Sequence, residues 1–481
     1  MKTRAVIAGA LLLACADSSG VPIGETGETG ETASETTSTS ASETGESTSE
    51  TGVLDLGGPD ERPELRSPAE AEDLDPDPDV VRVALAAAPF DYEVGGELVQ
   101  GWAYDGQIPG PTIRAKRGDT LIVEFHNGLD ADTTIHWHGL HVPIAMDGAP
   151  VEGVDPVGPG EDFVYTFTID QAGTYWYHPH IDSDRQVDLG LYGVVVVEDP
   201  ADPLPDRELV VVFDSWAEYA LDQSDHDHGL DGAKIEWTAN GLIDPVFPAT
   251  PGERIRVRMV DVANAGYLDL SWPGIRQIGS DQGLLPDLRE PSDLVLAPSD
   301  RVDVEWLIGE GFEVTNLPWS LLGAPAVGEP TRLFEVVVDA PGPAPAPLEF
   351  PFSGSEPTPD PGFTDIVYAL HGDPHTGKWT INGELFPDIT METLPLDQWS
   401  VIELRNISQS AHPFHLHGHA FEVLAVDGVA PEFWTFEDSF DVAPYSIVRL
   451  GLLANNPGQW MAHCHILPHA EGGMMTMLMV E

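Results

Sequence analysis

Short apolar runs, rich in β-branched residues, alternate with polar turns along most of the chain. Thr120-Leu121-Ile122-Val123-Glu124-Phe125, Val194-Val195-Val196-Val197 and the stretches 254–260, 332–338, 400–404 and 446–453 are each bounded by Gly, Pro, Asp or Asn. Such runs predict strands, alternating where one face meets water and continuously apolar where both faces are buried. No long stretch carries the 3.6-residue apolar period of an amphipathic helix. The pattern therefore predicts an all-β chain. Breaks near Asp199 to Asp206 and in the Pro/Ala-rich stretch from Asp339 to Pro361 divide it into three Greek-key β-sandwiches, at residues 79–200, 201–345 and 346–481.

The pattern fails before residue 79. Lys2 and Arg4 precede an apolar run from Ala5 to Ala14, which is too short to span a membrane and reads as the hydrophobic part of a signal peptide. Leu12-Leu13-Ala14-Cys15 resembles the lipobox of bacterial lipoproteins. Residues 1–15 are expected to be a lipoprotein signal peptide with Cys15 as the lipidated residue; the alternative is an ordinary cleaved signal in which Cys15 is incidental. Residues 16–78 read as a disordered acidic linker of Gly, Ser, Thr and Glu, with no Lys or Arg between Gly24 and Gly52 and nothing to form a core. A flexible coil of about 60 residues spans roughly 45 Å, and self-repulsion extends it. An exported protein of the bacterial cell envelope, held at the membrane only by its lipid, is the expectation.

Charge narrows the partners. Asp and Glu number 81 against 21 Lys and Arg, a formal net charge of −60. That field repels nucleic acid and anionic lipid surfaces and favours cationic or neutral small molecules. It also suits a saline habitat, where self-repulsion is screened.

The chemistry is concentrated in His463-Cys464-His465, with His469 and Met474 beyond. On a strand, successive side chains point to opposite faces, so His463 and His465 project one way and Cys464 the other. A thiolate with two imidazoles and a long axial thioether is the ligand set of a blue-copper electron-transfer site, and Cys464, His469 and Met474 supply three of those ligands. His136-Trp137-His138 and His178-Pro179-His180 place imidazoles two residues apart, and His412-Pro413-Phe414-His415-Leu416-His417 repeats the spacing with one more histidine upstream. These histidines, one cysteine and one methionine are enough for one mononuclear and one trinuclear copper centre. With Cys464 committed to metal and Cys15 the one other cysteine, no internal disulfide is expected.

From about residue 80 to the C-terminus the chain resembles the three-domain multicopper oxidases, the group of laccases, bilirubin oxidases and bacterial cuprous oxidases, with all four copper motifs in the family's order. Gly106-Gln107-Ile108-Pro109-Gly110-Pro111-Thr112 with Arg117-Gly118-Asp119, and Ser280-Asp281-Gln282-Gly283-Leu284-Leu285-Pro286, match its pattern too. The resemblance implies cupredoxin-like domains and four coppers. Position by position, it makes His412, Cys464, His469 and Met474 the type 1 site and His136 with His415 the type 2 pair. His138, His178 and His465 would hold one type 3 copper, and His180, His417 and His463 the other.

The same resemblance implies an oxidase in which a small reductant gives single electrons to the type 1 copper. They pass through Cys464 to His463 and His465, and dioxygen becomes water at the cluster. Asp147, eleven residues after His136, stands where the family has an acidic residue beside the cluster and is assigned to proton delivery, with a plain turn at Asp147-Gly148 as the other reading. Where bacterial relatives often carry a glutamate after the last type 1 histidine, this chain has Ala470 and then Glu471. A laccase-like oxidase of phenols is the leading expectation. A metallo-oxidase of Cu(I), Fe(II) or Mn(II) is the alternative, although no methionine-rich insert is present and Ser408, four residues before His412, is not acidic. A copper nitrite reductase or a ligand-free scaffold fits the ligand count poorly. His126, His141, His371, His375 and His419 are expected in loops or supporting positions, Asp225-His226-Asp227-His228 in a flexible acidic loop, and Met475, Met477 and Met479 in the core.

Overall fold

The computed structural model describes residues 62–94, 97–151, 154–217, 235–320, 328–373 and 376–481. The signal peptide with Cys15, the Asp225–His228 motif and His375 lie outside the described residues. Six sheets form three face-to-face pairs. In the first domain the sheet Glu97–Tyr104, Val80–Val94, Thr120–Asn127, Asp162–Thr168 faces a second, made of Ile113–Lys116, Gly193–Glu198, Gly173–His178 and His136–His138. The middle domain pairs a six-stranded sheet with a five-stranded one, and the third domain repeats that arrangement. Among the described residues the only α-helices are Ser183–Asp188 and Leu467–Glu471, and no helix is long and apolar enough to cross a membrane.

Burial explains why the strands formed where the pattern placed them. In Thr120–Asn127, Leu121, Val123 and Phe125 point into the first domain's core while Glu124 and His126 are exposed. The run Val194 to Val197 has no polar position because it is covered on both faces. Val195 and Val197 pack in the first domain's core, whereas Val194 and Val196 meet Val210, Val212 and Val260 of the middle domain. Each such side chain withdrawn from water contributes about 1.5–2 kcal/mol, so the run fastens two domains together. Leu467 of the third domain joins the same seam. Met477, with Met461, packs against Ala149 and Val151 between the first and third domains.

The linker was expected to be disordered through residue 78; that boundary is corrected for residues 62–78. Arg62 binds Asp244 at 2.7 Å and also pairs with Glu335. Leu65 is buried in the middle domain's core and its N–H donates to Val246 O at 2.7 Å. Ala71 N–H then donates to Thr112 O in the first domain. One leucine, one arginine and edge-strand backbone bonds suffice to dock a stretch whose acidic composition hides them.

One buried carboxyl lies at the seam of the first two domains. Tyr192 donates its hydroxyl to Asp214 Oδ2 at 2.6 Å, and burial, with nearby Asp188, raises the Asp214 carboxyl to about 8. Between the unfolded value near 4 and this folded value, only the folded state keeps the proton. Stability should therefore fall with rising pH over that window, by about 1.4 kcal/mol per unit from this group. Asp214→Asn is expected to flatten the decline of the thermal midpoint between pH 5 and 8; an unchanged slope would show that Asp214 does not titrate there.

Candidate metal centres

Strand register brings the histidines together before any longer-range contact is considered. His136 stands directly opposite His178 on the antiparallel pair His136–His138 and Gly173–His178, and His415 stands opposite His463 on His412–Leu416 and Gly458–Cys464. These two two-stranded units, from the first and third domains, face each other across the seam. Eight imidazoles, those of His136, His138, His178, His180, His415, His417, His463 and His465, meet there, all essentially buried. The strand alternation holds at Cys464, which turns into the third domain's own core with Phe414 and Met474 while its neighbours face the seam.

The hydrogen bonds of these rings fix which nitrogen each presents. Nδ1–H of His136 donates to Asp147 O at 2.8 Å, that of His178 to Pro179 O at 2.9 Å and that of His463 to Cys464 O at 3.0 Å. His415 Nδ1–H donates to Asp438 O and His417 Nδ1–H to Asp147 Oδ2, both at 2.8 Å. Nε2 remains in each case. The Nε2 atoms of His136, His178 and His415, Nδ1 of His138 and both nitrogens of His465 are buried without any protein partner. His463 Nε2 lies 3.1 Å from His417 Nε2 and 3.3 Å from His180 Nε2. Buried polar atoms are rarely left unmatched, and bare nitrogens facing one another are satisfied by a cation. Burial, with neighbouring histidines, pulls His463 down to about 3 and holds His138, His178, His180, His417 and His465 well below the ordinary imidazole value. The rings are thus neutral, the form that binds metal.

His180, His417 and His463 form one compact trio with ligand atoms within 4.8 Å of one another, and His412, Cys464 and His469 form another. In the latter, Cys464 Sγ lies 3.6 Å from Nδ1 of both His412 and His469. Met474 is fully buried beside them; its N–H donates to His469 O and its carbonyl accepts from Cys464 N–H. Burial pushes the Cys464 thiol up, so its thiolate needs an adjacent cation. His412 Nε2 is paired with the Ser408 hydroxyl at 2.8 Å, and the Trp379 indole stacks on His469 with ring centres 3.5 Å apart. His465 completes the other side of the cluster, its ring centre 5.0 Å from His138 and 5.5 Å from His178, and those of His136 and His415 are 5.7 Å apart.

Asp147 is both a turn residue and a partner of the cluster. Gly148 has φ +77°, and a Cβ there would stand 1.9 Å from Ile135 O, so the turn presses against the strand that carries His136 and aims Asp147 at His417. Glu471 instead accepts the backbone N–H of Ser183 at 3.0 Å. His419, expected to play a supporting part, is buried and donates Nδ1–H to His417 O at 3.2 Å. Asp438 was not foreseen. Its Oδ1 lies 3.0 Å from His138 Nε2, yet in a chain so rich in acids nothing in sequence separates it from a surface carboxylate.

Profiles of the multicopper oxidase family match residues 89–202 and 359–481. Multicopper oxidase MmcO of Mycobacterium tuberculosis is 30% identical over 464 residues, covering 83% of this chain and 86% of that protein. The chain belongs to the multicopper oxidases. This oxidase is accordingly an oxidoreductase that uses dioxygen, and its histidine clusters suit copper. Among solved structures it resembles a multicopper oxidase from Campylobacter jejuni described as a metallo-oxidase, with TM-score 0.76 and 25% identity over 88% of this chain and 97% of that one. It also resembles a laccase from Pediococcus acidilactici, with TM-score 0.75 and 26% identity over 90% and 98%.

Proposed function

We propose that this oxidase takes single electrons from phenols or similar small reductants. Four coppers would be held: one type 1 ion by His412, Cys464, His469 and Met474, a type 2 ion by His136 and His415, and a type 3 pair by His138, His178 and His465 and by His180, His417 and His463. When bound, they supply one-electron acceptance at the first site and, at the other three, reduction of dioxygen by four electrons and four protons to two waters. The chain's own part is to hold and connect. Cys464 and its neighbours His463 and His465 link the two sites through one strand. Asp147 orients His136 and His417 and is the carboxylate positioned to pass protons to the cluster.

The observation that carries the donor class is the packing against the first site's histidines. Among the described residues, His412 is backed by a neutral hydroxyl and His469 is stacked under the Trp379 ring, which gives the site an aromatic neighbour. The likeness to a protein described as a metallo-oxidase supports a second reading, oxidation of Cu(I), Fe(II) or Mn(II). Steady-state assays of the copper-loaded protein with a neutral phenol and each of these ions, side by side, test it. A kcat/KM for any of the metals above that for phenols overturns the proposal.

Export and lipid anchoring at Cys15 are part of the same reading, supported by the charged and apolar pattern of residues 1–15. Cys15→Ala is expected to move the protein from the membrane fraction to the soluble envelope fraction with activity per copper unchanged. Undiminished membrane association would show that Cys15 carries no lipid.

A further inference from the structure

The middle domain contributes no proposed ligand, yet its side chains reach the cluster. Arg301 opens the strand Arg301–Leu307 and is wholly buried. Its guanidinium holds both carboxylate oxygens of Asp438, with Nη1 2.9 Å from Oδ1. Its other N–H groups donate to Thr174 O at 3.2 Å, Ser299 O at 3.0 Å and Asp281 O at 3.1 Å. Gln282, from the middle-domain hairpin, donates to Asp438 Oδ2 and to Gly139 O. Asp438 then meets two cluster rings: its Oδ1 faces His138 Nε2 at 3.0 Å and its backbone carbonyl accepts His415 Nδ1–H.

The effect on His138 is specific. The carbonyls and Asp147 take Nδ1–H from His136, His178, His415, His417 and His463 and leave Nε2, but His138 is the reverse. Asp438 and Ser439 Oγ, the latter at 3.3 Å, take its Nε2 side, and Nδ1 is the nitrogen left buried and unpaired. An imidazole donates from one nitrogen and binds metal with the other. The space for this pair is set by the chain itself. Gly139, next to His138, has φ +85°, and a Cβ there would lie 2.5 Å from Arg301 Nη2 and 2.6 Å from Asp438 Oδ2.

We propose that Arg301 and Gln282 of the middle domain are positioning residues for the copper cluster, holding Asp438 so that His138 presents Nδ1 and His415 presents Nε2. The proposal rests on the ligand assignment above. A buried carboxylate stripped of its cation is destabilised and swings toward other partners, and His138 then loses the fixed acceptor that sets its orientation.

The test uses the full copper-loaded chain. Arg301→Met should keep the blue absorption of the first site and its reduction by a donor, while the type 2 signal in electron paramagnetic resonance changes. Copper should also be lost to a chelator about 10–100-fold more readily. Arg301→Lys, which restores charge without the two-pronged grip, should fall between. Should Arg301→Met not fold, Gln282→Leu removes one donor to Asp438 and is read the same way: an altered type 2 signal beside intact blue absorption supports the proposal. Wild-type signal and wild-type copper retention in the folded variant overturn it. A wild-type protein with no type 2 signal at full copper content overturns the ligand assignment, and the proposal with it.

Discussion

Cys464→Ser is expected to leave a folded, colourless protein without oxidase activity. The substitution is nearly isosteric, and Cys464 sits in the third domain's core against Phe414 and Met474, so the fold should survive. What is lost is the thiolate, whose charge transfer to a bound copper would give the proposed site its blue colour and whose backbone leads directly to His463 and His465. A hydroxyl neither ionises at neutral pH nor binds copper as a soft ligand. Absorption spectra and oxygen uptake, measured at matched copper content, decide the matter. Colour retained in the serine protein, or a colourless wild type fully loaded with copper, would remove Cys464 from the first site.

His138→Ala and His465→Ala should separate the two halves of the reaction. Each deletes a ring from the seam of the first and third domains without touching His412, Cys464 or His469. The blue absorption should remain and should bleach when a donor is added, since electrons can still arrive. Oxygen consumption should fall to background, because the electrons have nowhere to go. Anaerobic bleaching followed by admission of air is the direct measurement: the wild type regains its colour and the variants stay bleached. Recolouring at the wild-type rate would show that the cluster does not depend on these rings.

Much of this was legible in the chain because the chemistry is periodic. His-x-His on a strand and alternation around Cys464 follow from a two-residue repeat, and so do the buried positions of Leu121, Val123 and Phe125. What was hidden was non-periodic. Asp438 acquires its part from Arg301, 137 residues away in sequence, and no local pattern encodes that meeting. The docking of residues 62–78 depends on Arg62 and Leu65 amid acids, where composition argues for solvent. Trp379 is an ordinary strand aromatic until its hairpin folds over His469. Sequence periodicity reports which face a residue takes, and not which distant element will cover that face.

The two proposed sites differ in how much of the polypeptide must be in place before either can form. His412, Cys464, His469 and Met474 all belong to the third domain, with Cys464 and His412 only 52 residues apart. The other site needs pairs such as His180 and His463, separated by 283 residues and lying in different domains. Closing contacts of longer range is slower, and a site shared between domains is lost when those domains part. Maturation and damage should then run along one axis in opposite senses: colour precedes respiration as the protein assembles, and respiration fails before colour as the first domain loosens. A preparation that is blue but inert toward oxygen is then expected from a parted seam as well as from a cluster short of copper, and added copper should restore only the second.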